Sequence, residues 1–171
     1  MGRPLFLKEN LGYYLGKYDV WSKYEPEDEG VFIAYASIHG NTAKVAKKMA
    51  QILEEKGAKR VAIADLSRDD MAEAVEDAFR HDKLLLASAT YDGGLFPCME
   101  DFLHHLKAKN YQKRTVALME NGSWAPMAAK KMTAILETMK DITICEPIVS
   151  IKSTMNAANL NAMEELAEKL V

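Results

Sequence analysis

The sequence predicts an α/β protein built on a doubly wound, five-stranded parallel sheet with helices on both faces. Three observations predict it. Short runs rich in β-branched and aromatic residues, beginning with Val31-Phe32-Ile33-Ala34-Tyr35, alternate with segments whose apolar residues recur at helical spacing. Runs such as Leu84-Leu85-Leu86-Ala87 are apolar at every position, as strands covered on both faces must be. The strict alternation from residue 31 onward is the pattern of right-handed βαβ crossovers. A chain of 171 residues, 49% hydrophobic, can bury one core comfortably but not two, so one domain over 31–171 is expected behind an extension over 1–30.

The extension contains Phe6, Tyr13, Tyr14, Tyr18, Trp21 and Tyr24 and ends in the polar run Glu25-Pro26-Glu27-Asp28-Glu29-Gly30, which reads as a linker. Leu7, Leu11, Tyr14, Leu15 and Tyr18 predict a short amphipathic helix, although Gly12 and Gly16 each cost it up to about 1 kcal/mol. Its aromatic face is expected to dock, either on its own domain or on another domain or subunit. The first strand, 31–36, hands over to a helix near 42–56 carrying Val45, Met49, Ile52 and Leu53 and stopped by Gly57. Strands near 60–65, 83–89, 115–119 and 142–149 then alternate with helices near 69–80, 97–109, 125–139 and 156–170.

Composition removes several classes of function. The net charge is −3 with acids and bases interspersed, which favours neither nucleic acid nor an anionic membrane. Cys98 and Cys145 are too few for a metal framework and match neither a Cys-x-x-Cys pair nor a disulfide scaffold. No signal-peptide apolar region follows Arg3, and no run approaches membrane-spanning length. The expected setting is therefore soluble and cytoplasmic.

In such sheets ligands bind beyond the carboxyl ends of the strands, so the loops after the first, third and fourth strands should converge. The first reads Ser37-Ile38-His39-Gly40-Asn41-Thr42. Unpaired N–H groups and the positive dipole end at the start of the next helix suit a phosphate, Ser37 and Thr42 add hydroxyl donors, and Gly40 permits close approach. With a single glycine and no lysine it matches neither a Walker loop nor a dinucleotide fingerprint. The second, Ala89-Thr90-Tyr91-Asp92-Gly93-Gly94-Leu95, can wrap a ligand closely. The third, Asn121-Gly122-Ser123-Trp124-Ala125, offers an amide, a hydroxyl and a large aromatic. Trp124 and Tyr91 are the candidates to cover a planar ring, with backbone groups of 89–94 and 121–125 along its edge.

Together Ser37 to Thr42, Thr90 to Pro97 and Asn121-Gly122-Ser123-Trp124 resemble the flavodoxin-like domain of flavodiiron proteins (A-type flavoproteins). Tyr18-Asp19-Val20-Trp21-Ser22-Lys23-Tyr24-Glu25-Pro26 is similar to the segment that joins the two domains of that family. The resemblance implies a flavodoxin-like sheet of strand order 2-1-3-4-5 and bound FMN as cofactor. It also implies electron transfer from a rubredoxin-like protein or a reductase to a diiron oxygen or nitric oxide reductase domain or partner, and association as a homodimer. The family's preceding metallo-β-lactamase-like domain would end about where Met1-Gly2-Arg3-Pro4 begins. His39, His81, His104 and His105 do not form its iron-binding cluster, so no metal ligands and no catalytic residues are assigned. His104 and His105 read as a solvated helix face and His81 as a helix-end imidazole. Asp92 and Glu120 read as solvated loop acids.

Rival readings are weaker. A phosphoacceptor receiver domain needs acids where the first and third strands end in Ala36-Ser37 and Ala87-Ser88, and a serine hydrolase needs Gly-x-Ser-x-Gly. A small FMN-dependent quinone or flavin reductase, or a flavodoxin-like binding module without redox activity, remains open as an alternative.

Overall fold

The computed structural model describes residues 10–171, so Phe6 and Leu7 of the expected amphipathic helix lie outside the described residues. The elements are α1 (Leu11–Ser22), β1 (Asp28–Ala36), α2 (Asn41–Glu55), β2 (Val61–Asp65), α3 (Met71–Arg80), β3 (His81–Tyr91), β4 (Gly94–Leu95), α4 (Pro97–Ala108), β5 (Arg114–Asn121), α5 (Ala128–Leu136), β6 (Ile142–Ile151) and α6 (Ala157–Glu168). β1 pairs in parallel with β2 and β3, β3 with β5, and β5 with β6, giving the order β2-β1-β3-β5-β6. Counting the five long strands alone, this is the expected 2-1-3-4-5. The addition is β4, two residues antiparallel to the end of β3, too short for any periodicity to announce.

The period-2 alternation of β1 divides the core in two. Phe32, Ala34 and Ala36 point to one face, where Ala74, Val75 and Ala78 of α3, Phe102 and Leu103 of α4 and Met132 of α5 cover them. Val31, Ile33 and Tyr35 point to the other, where Val45, Met49 and Leu53 of α2 meet Met163 and Leu166 of α6. Because both faces are covered, Leu84, Leu85 and Leu86 of β3 are all fully buried, each stabilising the fold by roughly 1.5–3 kcal/mol relative to exposure. The helices start where local chemistry permits. Asp70 accepts from the N–H groups of Ala72 and Glu73, and Asn156 and Asn159 form a reciprocal capping box at α6. Gly57, at φ +93°, ends α2 as expected.

The amino ends of the strands are tied together by one buried cation. The Arg114 guanidinium, 4% exposed, donates to the carbonyls of Phe79 (2.8 Å), His81 (3.0 Å), Gln112 (3.2 Å), Lys113 (3.1 Å) and Tyr24 (2.7 Å). Beside it lies Tyr111, whose phenol burial pushes well above its ordinary range. His81 stands at a helix end as expected, closing α3, but it is buried, stacks on Phe32 and holds the Asp77 carbonyl 2.8 Å from Nδ1. Through Tyr24 the same cluster anchors the extension. There Lys17 and Trp21 both bond the Glu27 carboxylate, while no residue of α1 is buried and its aromatic face lies open. The polar run expected as linker ends inside β1, which begins at Asp28 opposite His81. Among the described residues no helix is long and apolar enough to cross a membrane, and no group of His, Cys, Asp and Glu is placed to hold a metal ion.

Candidate functional site

Three helices begin around the carboxyl ends of β1, β5 and β6, and their first N–H groups meet different fates. At α5 they are already taken: Thr90 Oγ1, from the end of β3, accepts from Met127 (3.0 Å) and Ala128 (3.2 Å), and Glu120 Oε2 accepts from Ala129 (2.8 Å). At α6 the capping box supplies the acceptor. At α2 no side chain caps the helix; Gly40 stands at the cap position with φ +83°, and the Ser37 hydroxyl accepts from its N–H (3.0 Å), which shapes the turn. The α2 terminus therefore keeps its positive dipole end and first donors free of side-chain acceptors.

A cavity of about 250 Å3 opens at that terminus. Ser37, Ile38, His39, Asn41 and Thr42 line it from the first loop. Ala89 and Thr90 line it from the second, and Asn121, Gly122 and Ser123 from the third. The Thr42 side chain is 4% exposed, and its hydroxyl takes part in no hydrogen bond among the described residues. The hydroxyl is not among the fully enclosed atoms that lack a partner, so it reaches the cavity wall, where it is a donor open to whatever enters. No lysine or arginine lines it; His39 is the one ionisable side chain in the wall, and the other donors are hydroxyls, an amide and the helix terminus.

The remaining expected residues are arranged differently. Asp92 and Gly93 are the two central residues of a tight hairpin joining β3 to β4, at φ +47° and +69°, the sign a two-residue primed turn demands. Tyr91, Asp92, Gly94 and Leu95 face a separate cavity of about 480 Å3 between that hairpin, α4 and α5. Tyr91 packs edge-on against Phe96 at 5.8 Å. Trp124 is 99% exposed and covers nothing, Ala125 sits beside it in the same loop, and neither lines the small cavity. Glu120 is not a solvated acid. It is 7% exposed, and besides Ala129 it accepts from the Ser150 hydroxyl at 2.6 Å. Asp92 is exposed as expected. One lining residue escaped the sequence reading: Ser153, on the loop after β6.

Residues 32–162 match the family model of the flavodoxin domain. The chain belongs to the flavodoxin family. Proteins of this family typically bind FMN. Among solved structures, this flavodoxin domain is similar to rubredoxin oxygen:oxidoreductase from Desulfovibrio gigas, with a TM-score of 0.85 and 18% identity over 93% of this chain and 39% of that one. It is similar to a flavo di-iron protein variant from Thermotoga maritima, with a TM-score of 0.78 and 25% identity over 98% of this chain and 42% of that one. A flavodoxin from the domain Archaea matches with a TM-score of 0.65 and 20% identity over 84% of this chain and 99% of its own. The flavodoxin domain thus spans about two fifths of the first and second of these proteins. No curated protein matches the sequence.

Proposed function

We propose that this flavodoxin domain is an FMN-binding electron-transfer module of flavodiiron type. In this reading electrons come from a rubredoxin-like protein or a reductase and pass to a diiron oxygen or nitric oxide reductase domain or partner. The observation that carries the FMN reading is the uncapped α2 terminus facing the small cavity, with Thr42 in the cavity wall beside it, while α5 and α6 are capped by the protein itself. Those donors fit a phosphate monoester. The flavin, when bound, supplies the one- and two-electron chemistry; the protein binds, orients and shields it. Ser37, Asn41 and Thr42 would hold the phosphate end. Tyr91 and Trp124 follow directly on the lining residues Thr90 and Ser123, and are the side chains that would have to turn to cover a flat ring extending from the cavity. The flavodiiron context rests on coverage: the two larger relatives match 93% and 98% of the chain, against 84% for the archaeal flavodoxin.

The visible absorption and fluorescence of the purified protein, before and after addition of FMN, test the reading. Flavin bands with quenched emission are expected; no spectral change at saturating FMN overturns it. Stopped-flow mixing of the reduced protein with a diiron protein then tests the acceptor, for which rapid reoxidation is expected.

A further inference from the structure

We propose that the loop after β6 forms a fourth wall of this site, and that the Ser153 hydroxyl donates to the phosphate-bearing end of the ligand, held there by Asn121. The proposal rests on the FMN reading above. Asn121, expected to bond the ligand itself, is 8% exposed and spends its amide on the backbone of Ser153: Nδ2 donates to the Ser153 carbonyl at 3.1 Å and Oδ1 accepts from the Ser153 N–H at 3.1 Å. Gly122 N–H donates to the Ile151 carbonyl at 3.0 Å, so the loops after β5 and β6 are joined on both sides of that pair.

Between these ties the chain makes a tight reversal, with the Thr154 N–H bonded to the Lys152 carbonyl at 3.0 Å and Ser153 at φ +69°. A non-glycine residue at the centre of a three-residue turn is an unfavoured conformation, kept here by the two Asn121 bonds. Ser153 lines the same small cavity as Ser37 and Thr42, and its hydroxyl takes part in no hydrogen bond among the described residues.

The fold explains the meeting. α2 and α6 pack on the same face of the sheet, through Val45, Met49 and Leu53 against Met163 and Leu166, which brings the loop preceding α6 beside the loop preceding α2. Asn159, at the start of α6, fixes the far end by donating to the Ser150 carbonyl at 3.0 Å. With no lysine or arginine in the cavity wall, a phosphate there relies, besides His39, on neutral donors, and Ser153 adds a hydroxyl from a fourth loop to that set.

The test is the affinity of the full chain for FMN and for riboflavin, which shares the ring and ribityl chain but lacks the phosphate. Ser153→Ala is expected to weaken FMN about tenfold and leave riboflavin unchanged. Asn121→Leu is expected to weaken FMN at least as much, and adding Ser153→Ala to it should cost nothing more, since the hydroxyl is then already misplaced. Unchanged FMN affinity in Ser153→Ala, or equal losses for both flavins, overturns the assignment. If the wild-type chain binds neither flavin, the FMN reading fails by itself. Inorganic phosphate followed by amide resonances then reads the wall directly: Ser37, Thr42 and Ser153 shifting together retains it, and an unmoved Ser153 removes it.

Discussion

At the scale of single residues the site depends on small side chains with unspent hydrogen-bonding capacity. Thr42→Ala removes a hydroxyl donor from the cavity wall, and FMN affinity is expected to fall by about 1.5–3 kcal/mol, the range for a hydrogen bond to a charged group; titration of flavin fluorescence measures it, and an unchanged Kd would remove Thr42 from the phosphate site. Gly122→Ala acts by sterics. An added Cβ would stand 2.9 Å from Pro126 Cα and 3.1 Å from Thr90 Oγ1, so the loop must shift. A loss of roughly 1–3 kcal/mol in urea unfolding is expected, together with weaker flavin binding. Wild-type stability in this variant would show the loop free to move aside. The first loop was legible in the sequence because its signal is local: a strand, a small polar turn and a helix follow one another within about a dozen residues. Ser153 was not legible, since nothing in Lys152-Ser153-Thr154 advertises a turn, and its position is set by Asn121, more than thirty residues earlier.

At the scale of elements, α5 shows why strand-end residues outweigh helix propensity. Its cap position is Met127, which has no acceptor of its own, and the helix starts only because Thr90 and Glu120 arrive from two neighbouring strands. Sequence periodicity places this helix from about 125 to 139, but the structure runs from Ala128 to Leu136, because the start is fixed by those distant acceptors. Thr90→Val leaves the Met127 and Ala128 N–H groups without partners, and a loss of about 1–2 kcal/mol in stability is expected. Thr90→Ser, which keeps the oxygen, should recover most of it; equal destabilisation in both variants would assign the loss to packing. Long strands declared themselves by their apolar runs. The first two residues of β3, His81-Asp82, are polar and precede the strand expected from residue 83, yet β3 begins there because Asp28 of β1 pairs with His81 and Arg114 holds the His81 carbonyl. Glu120 was misread for the same reason: its partners, Ala129 and Ser150, are far away along the chain.

At the scale of the whole molecule, the extension is attached by few contacts and should detach without unfolding the domain. The domain's core runs from β1 to α6 without any residue of α1. One attachment is acid-sensitive. Burial raises the Glu27 carboxyl, but hydrogen bonds from Lys17 and Trp21 outweigh it and hold the group below its ordinary value of 4.5. A carboxyl depressed in the folded state contributes stability that is complete above the unfolded value and is lost as the pH falls through the folded one. In a Trp124→Phe background, Trp21 emission is therefore expected to change as the pH drops below about 4.5, with a shift toward higher pH in Lys17→Met; an emission constant through that range would show that the Glu27 pair does not hold α1.

The Arg114 cluster has one more consequence, for direction. It fastens the incoming chain at the amino end of the sheet, while the cavity opens at the carboxyl end, a separation of roughly 26 Å along the eight residues of β5. The anchor of the incoming chain and the mouth of the cavity thus lie at opposite ends of the sheet. A redox centre joined ahead of α1 would be tethered to the wrong pole, gaining little effective concentration from its own linker, and would meet the mouth of a neighbouring molecule more readily than that of its own. Fusing a small haem protein ahead of α1 makes this measurable: electron exchange should accelerate with total protein concentration, and a rate independent of concentration would mean that the tether reaches around.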